Sequence, residues 1–465
     1  MAASSRPIVH PYIPNSIPDV KARMLAEIGA ADVDELYAAI PDRLRLRRPL
    51  DLPPPLTSEA ALVRHVEGLL ARNRSTREAL SFLGAGAYQH HVPALCDEIN
   101  SRGEFLTGYA GDPYEDHGRF QALFEYESMM GELLTMDVVN VPVYDGFQAA
   151  ATALLMTTRI TGRSRVVVTR TIGADKLSKL RDYLGAVALD IAPIDPRTGE
   201  VDLVALASLV DERTAGVYLE NPSYLGVIST VGTDVARIAH DSGALLVVGA
   251  DPISLGILEP PLAYGADIAC GDIQSLGMHL QYGGGQAGYI GVRDDTRLVM
   301  ELPSRLFGLA PTSTEGEYGF GDVAYERTSF ALREEGKEWV GTAAALWGIT
   351  AAVYLATMGP HGMTELGEGI MARTRYAMER LADVPGIRIH HRASHHFREF
   401  VVDFGSSGPT VAEVNARLLE RGIFGGWDLS ADFPELGRSA LYCVTEIHEQ
   451  ADIDRLAGAL TEVLS

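Results

Sequence analysis

RSRVVVTR, Arg163–Arg170, is a short β-branched run bounded by arginines, and runs of its kind recur along the chain. VALDIAPID (187–195), AGVYLENPS (215–223), ALLVVGADP (244–252), ADIACGD (266–272) and AGYIGVRD (287–294) follow it. Helical segments such as DKLSKLRDYL (175–184) and TDVARIAHDSG (233–243) lie between several of them. Short strands that alternate with helices pair in parallel through crossover connections, and such a sheet is covered on both faces. The expected fold class is therefore α/β with a mostly parallel central sheet.

Outward from this core, residues 1–75 read as an N-terminal arm, with helical signals broken by proline at RPLDLPPPL and a last helix following Ser58. Arms of this sort often pack on a neighbouring subunit. Residues 76–340 make the large α/β domain, 341–375 interdomain helices, and 376–465 a small α+β C-terminal domain. Within the interdomain segment, GTAAALWGITAAVYLATMG (341–359) approaches the length of a membrane span. It is rich in Ala and Thr and stands alone, which predicts a buried helix.

The 465 residues carry 62 acidic and 39 basic side chains, a formal net charge of -23. Such a field repels nucleic acid and anionic membrane surfaces, so neither is an expected partner. Three scattered cysteines, Cys96, Cys270 and Cys443, have no paired spacing and read as buried thiols of a reducing compartment. The first residues hold no apolar core for a signal peptide, which points to the cytoplasm.

A large α/β domain with an N-terminal arm and a small C-terminal domain resembles the aspartate-aminotransferase-like fold type I of pyridoxal-phosphate (PLP) enzymes. The specific resemblance lies in the long stretches 12–65, 82–109 and 118–146, in GADIACGDIQSLG (265–277) and in LYCVTE (441–446). Together these resemble the first subunit of glycine dehydrogenase (decarboxylating), the alpha half of the glycine cleavage system P-protein where that protein is split in two. Catalytic members of the fold form a Schiff base between the cofactor and a lysine placed shortly before a glycine-rich turn like Gly283–Gly285. This chain has only Lys21, Lys176, Lys179 and Lys337, and none between 180 and 336. The resemblance implies that the PLP lysine belongs to a beta subunit and that this chain completes the assembly as an αβ dimer or α2β2 tetramer. It further implies glycine decarboxylation with a lipoyl carrier protein as acceptor, and no cofactor held covalently by this chain.

The candidate site residues follow from the same resemblance. Asp251 stands where a catalytic relative places the pyridinium partner, and reads here as a turn or capping aspartate. Asp145 and Gly146 open a helix whose amide groups suit a phosphate, but Phe147 and Gln148 follow where small hydroxyl residues are usual, so a plain helix cap is expected. Together with Ser275 in the lysine window, these are vestigial cofactor positions. Tyr109 and Tyr114 in TGYAGDPYEDHG (107–118), with Tyr88 and His90, form one surface that reaches the partner's site or packs the subunit interface. His279 reads as structural. His390, His391, His395 and His396 read as a solvated hairpin and not a metal site, because adjacent residues of a strand face opposite ways. Departures at 107–118 and 325–342 leave two alternatives, a changed amino acid or acceptor and a non-catalytic scaffold.

Overall fold

The computed structural model describes residues 9–10, 12–48, 50–106, 117–323, 328, 337–338, 344–406 and 408–465. It separates into two compact units, 1–74 and 75–465.

The first unit carries α1 (Pro18–Glu27) and α2 (Glu59–Leu70). Asp32 caps the short turn between them by accepting the amides of Asp34 and Glu35 at 2.8 and 3.1 Å. Arg45 and Arg47 both reach Asp34, at 3.1 and 3.2 Å. Ser58 precedes α2 as the sequence suggests, yet its side chain makes no capping bond. No described residue of this unit is buried.

The second unit opens with β1 (Leu80–Ser81), α3 (Ala94–Asn100), α4 (His117–Leu134), β2 (Val138–Val139) and α5 (Gly146–Thr161). The alternating stretch then forms β3 (Arg165–Thr169), α6 (Ala174–Leu184), β4 (Ala188–Ala192), α7 (Leu203–Leu209), β5 (Thr214–Asn221), α8 (Gly232–Asp241), β6 (Leu245–Ala250), β7 (Ile268–Asp272) and β8 (Gly288–Val292). One sheet takes them in the order β2-β8-β7-β6-β5-β3-β4. From β4 to β7 the neighbours are parallel, and β8 and β2 extend that edge antiparallel.

Strand alternation divides the core in two. Val166, Val168, Tyr218 and Val247 pack on the alanine-rich face of α5, with Ala149, Ala150 and Ala153. Val167, Val217, Leu246 and Val248 pack on the other side with Val235 and Ala239 of α8. Both faces are thus covered, which is why all eight residues of β5 are buried.

After β8 come α9 (Thr296–Val299), the antiparallel pair β9 (Phe307–Pro311) and β10 (Tyr318–Asp322), and α10 (Ala345–Ala382). Gly359 breaks α10 with a φ of 61°, directly before Pro360. The apolar segment before that break is a buried helix, with Gly348, Ile349, Ala351, Ala352 and Leu355 inside. Among the described residues, no helix is long and apolar enough to cross a membrane.

The C-terminal part holds β11 (Arg388–Ile389), β12 (Glu399–Asp403), α11 (Val411–Glu420), β13 (Ile423–Phe424), β14 (Trp427–Asp428), β15 (Ser439–Cys443) and α12 (Gln450–Leu464). Its antiparallel sheet runs β11-β12-β15-β14. A capping box, Thr410 with Glu413, starts α11.

Just after the first unit, β1 pairs in parallel with β13 and Phe82 lies in the core of the C-terminal part. One expectation is corrected here. The four-histidine segment is not solvated throughout. His391 and His396 are 6% and 5% exposed. Val227 forms a bridge to His396, and Ser394 donates to the Thr198 carbonyl at 2.9 Å, so loops of the large domain close over the segment.

A cavity at the carboxyl ends of the parallel strands

In parallel sheets, ligands gather where the strands end. A cavity of about 350 Å³ lies there. The ends of β5, β6 and β7 give it Glu220, Ala250 and Asp272, and the amino ends of α5 and α6 give it Gly146 and Lys176. Asp145, Asp251, Ser275 and Tyr88 line it as well, so the structure brings all four vestigial positions and one of the four candidate contributors to one place.

At the amino end of α5, Asp145 accepts the Gln148 amide at 2.7 Å and so acts as a helix cap. Asp272 takes the next amide: its Oδ2 accepts Gly146 N–H at 2.8 Å and its Oδ1 accepts Gln274 N–H at 2.8 Å. Burial pushes the Asp272 carboxyl up to about 6 against those amide bonds, and the nearby charge of Asp145 adds to the rise. The approach is close enough that a Cβ on Gly146 would stand 2.9 Å from that of Asp272.

Two amines lie on the cavity wall. Lys176 Nζ is tied to Glu220 at 2.5 Å, and Tyr218 donates to the same carboxylate oxygen at 3.0 Å. Burial alone would lower Lys176, but the Glu220 charge and hydrogen bond raise it. Lys179 lies above the Phe147 ring, 5.4 Å from its centroid. Ser275, on the same wall, is 4% exposed.

The third group joins the two domains. Asp251 accepts the Ile253 amide at 3.0 Å, as a turn aspartate does, while its other oxygen meets Arg398 at 2.6 Å. Arg398 is only 2% exposed, and its guanidinium lies 4.1 Å from the centroid of the Tyr88 ring. The Tyr88 phenol donates to Glu399 at 2.9 Å, and the Ala85 amide donates to the same carboxylate. Burial pushes Glu399 up to about 7, against those two hydrogen bonds and the Arg398 charge.

Tyr88 and His90 therefore do not form an outward surface. Tyr88 faces the cavity of its own chain, and His90 is buried with Nδ1 at 2.7 Å from Glu446. Burial lowers His90, so the neutral ring donates to an ionised carboxylate. Burial would raise Glu446, but the bonds from His90 and from the His91 amide outweigh it. Tyr109 and Tyr114 lie outside the described residues, as does most of 325–342. Glu338, at the end of that segment, accepts from Tyr183 at 2.6 Å and from Thr152 at 3.2 Å. His279 pairs with Asp97 at 3.1 Å at the surface. All three cysteines are buried and free. Among the described residues no group of three His, Cys, Asp or Glu side chains is placed to hold a metal ion.

Residues 10–460 match the model of the glycine cleavage system P-protein family. The chain belongs to that family. It is 37% identical to a probable glycine dehydrogenase (decarboxylating) subunit 1 of Staphylothermus marinus, with 98% of each chain covered. A protein of the same description from Carboxydothermus hydrogenoformans is 36% identical, with 97% of this chain and 99% of that one covered. Among solved structures, an inhibitor-bound glycine decarboxylase (P-protein) superposes with a TM-score of 0.83 at 34% identity, covering 98% of this chain and 100% of that one. A sphingosine-1-phosphate lyase of Burkholderia pseudomallei, at 17% identity and a TM-score of 0.63, shares the fold, with 92% of this chain and 94% of that one covered. P-protein membership and fold type I architecture thus agree with the layout of sheet, cavity and C-terminal domain.

Proposed function

We propose that this chain is the first subunit of a two-subunit glycine dehydrogenase (decarboxylating), and that a second, lysine-bearing chain holds the PLP. The observation that carries the reading is Ser275, a hydroxyl in the cavity of a fold whose catalytic members need an amine to hold the cofactor. Three more features of the cavity do not fit PLP. Asp272 fills the amino end of α5, Lys176 is committed to Glu220, and Asp251 is committed to Arg398. No chemical step is therefore assigned to this cavity. The chain's part is to hold and complete the partner's site, with a lipoyl carrier protein receiving the aminomethyl group. The assembly is an αβ dimer or α2β2 tetramer in the cytoplasm, and Tyr109 and Tyr114 stay the candidates for its shared surface, while Tyr88 and His90 act inside this chain.

Reconstitution tests this. With both chains and a lipoyl carrier, exchange of labelled bicarbonate into the glycine carboxyl should proceed. Omitting this chain should lower the rate on the order of a hundredfold, the scale that misplacing a reacting group by 1 Å costs. Full activity of the partner alone would make this chain a scaffold, and turnover of another amino acid only would favour the changed-substrate alternative.

A further inference from the structure

Helix amino ends attract anions, because their first amide groups point outward unpaired and the helix dipole adds positive potential. In the sixteen-residue α5, that end opens into the cavity. An anion already sits on it. Asp272 arrives from the end of β7, bonds the Gly146 amide with one oxygen at 2.8 Å and the Gln274 amide with the other at 2.8 Å. Asp145 takes the Gln148 amide at 2.7 Å. The space is closed on the backbone side too: a Cβ on Gly288 would stand 2.1 Å from the Asp145 carbonyl oxygen. Around it the cavity wall carries Asp145, Asp175, Glu220, Asp251 and Asp272 against Lys176 and Lys179. The first of these amines is neutralised by Glu220 and the second lies 3.6 Å from Asp175.

We propose that Asp272 is a built-in replacement for a ligand phosphate at the amino end of α5, and that it excludes phosphorylated molecules from this cavity. A phosphate placed there would lose its strongest donor to Asp272 and would meet two carboxylates at close range. At a few ångströms, like charges in a partly buried site repel one another, because little water screens them. The carboxylate thus keeps the helix end satisfied while the space beyond it, floored by Ser275, stays free of phosphate.

This inference goes beyond the proposed function and does not depend on the partner, since it is measured on the full-length chain alone. The probes are inorganic phosphate and PLP, titrated by calorimetry into the wild type, Asp272→Asn and Asp272→Ser. The wild type should show no saturable binding, and the variants should bind phosphate on the order of tenfold more tightly or better. Saturable phosphate binding by the wild type at the variants' affinity would overturn the proposal, as would variants with native melting curves that bind no better than the wild type. Should both variants fail to fold, the wild type still decides. Phosphate should leave the Gly146 amide resonance unmoved, and a saturable shift of that resonance would refute the inference. Failure to decarboxylate glycine would count against the proposed function and leave this inference untouched.

Discussion

Arg398→Ala should destabilise the chain by about 3–5 kcal/mol, the usual consequence of removing one partner from a buried ion pair. Arg398 is 2% exposed and lies at 2.6 Å from Asp251, with Glu399 as its neighbour in sequence. Without it, Asp251 loses its counter-charge and the Tyr88 ring loses the group stacked on it. The effect should also depend on pH. Glu399 is raised in the folded state to about 7, so between the ordinary carboxylate range and that value the folded chain binds more protons than the unfolded one. Its contribution to stability is fully present below the unfolded pKa and is lost as pH rises through 7. Arg398 is one of the groups holding Glu399 down, so its removal lifts Glu399 further and the deficit of the variant grows with pH. Urea unfolding at about pH 5.5 and pH 8 should therefore give a larger loss at the higher pH. An equal loss at both would show that Glu399 is not coupled to Arg398, and a loss below about 1 kcal/mol would show that the pair is not buried as described.

Gly226→Ala should be comparably damaging, for a different reason. Gly226 has a φ of 82°, and an added Cβ would stand 1.8 Å from the Glu399 carbonyl oxygen. The Gly226 amide donates to Ser223 at 2.8 Å and its carbonyl accepts from Phe397 at 2.9 Å, so this loop locks the large domain to β12 beside the cavity. The left-handed conformation costs a residue with a Cβ about 1–2 kcal/mol, and displacing packed backbone adds about 1–3 kcal/mol. Gly386→Ala is the control: its φ is 88°, with nothing within 4 Å of the added atom. Thermal unfolding should place Gly226→Ala well below the control. Equal melting temperatures would mean that the contact with Glu399 relaxes at no cost.

The parallel sheet was legible because its strands are short β-branched runs between turn residues, a pattern that local sequence carries by itself. So was the absence of a lysine between 180 and 336, which needs no geometry to read. The break in α10 had its signal in the Gly359-Pro360 pair. The fate of the histidines was not legible, since His391 and His396 are covered by loops some 170 to 200 residues earlier in the chain. Asp251 accepts the Ile253 amide in a turn, but its partner Arg398 gave no sign in the sequence, because one arginine at the start of a strand looks like any other. Asp272 was hidden similarly: a carboxylate ending a strand shows its role only when the helix end that it meets, 126 positions away, is in place.

The central claim is that this chain carries the P-protein fold and the partner carries the cofactor. It is tested most directly by incubating this chain with PLP, alone and with its lysine-bearing partner, reducing with borohydride, and mapping the labelled peptides. The account predicts no reducible aldimine on this chain in either mixture and a label on one lysine of the partner. A stoichiometric label on Lys21, Lys176, Lys179 or Lys337 would contradict it.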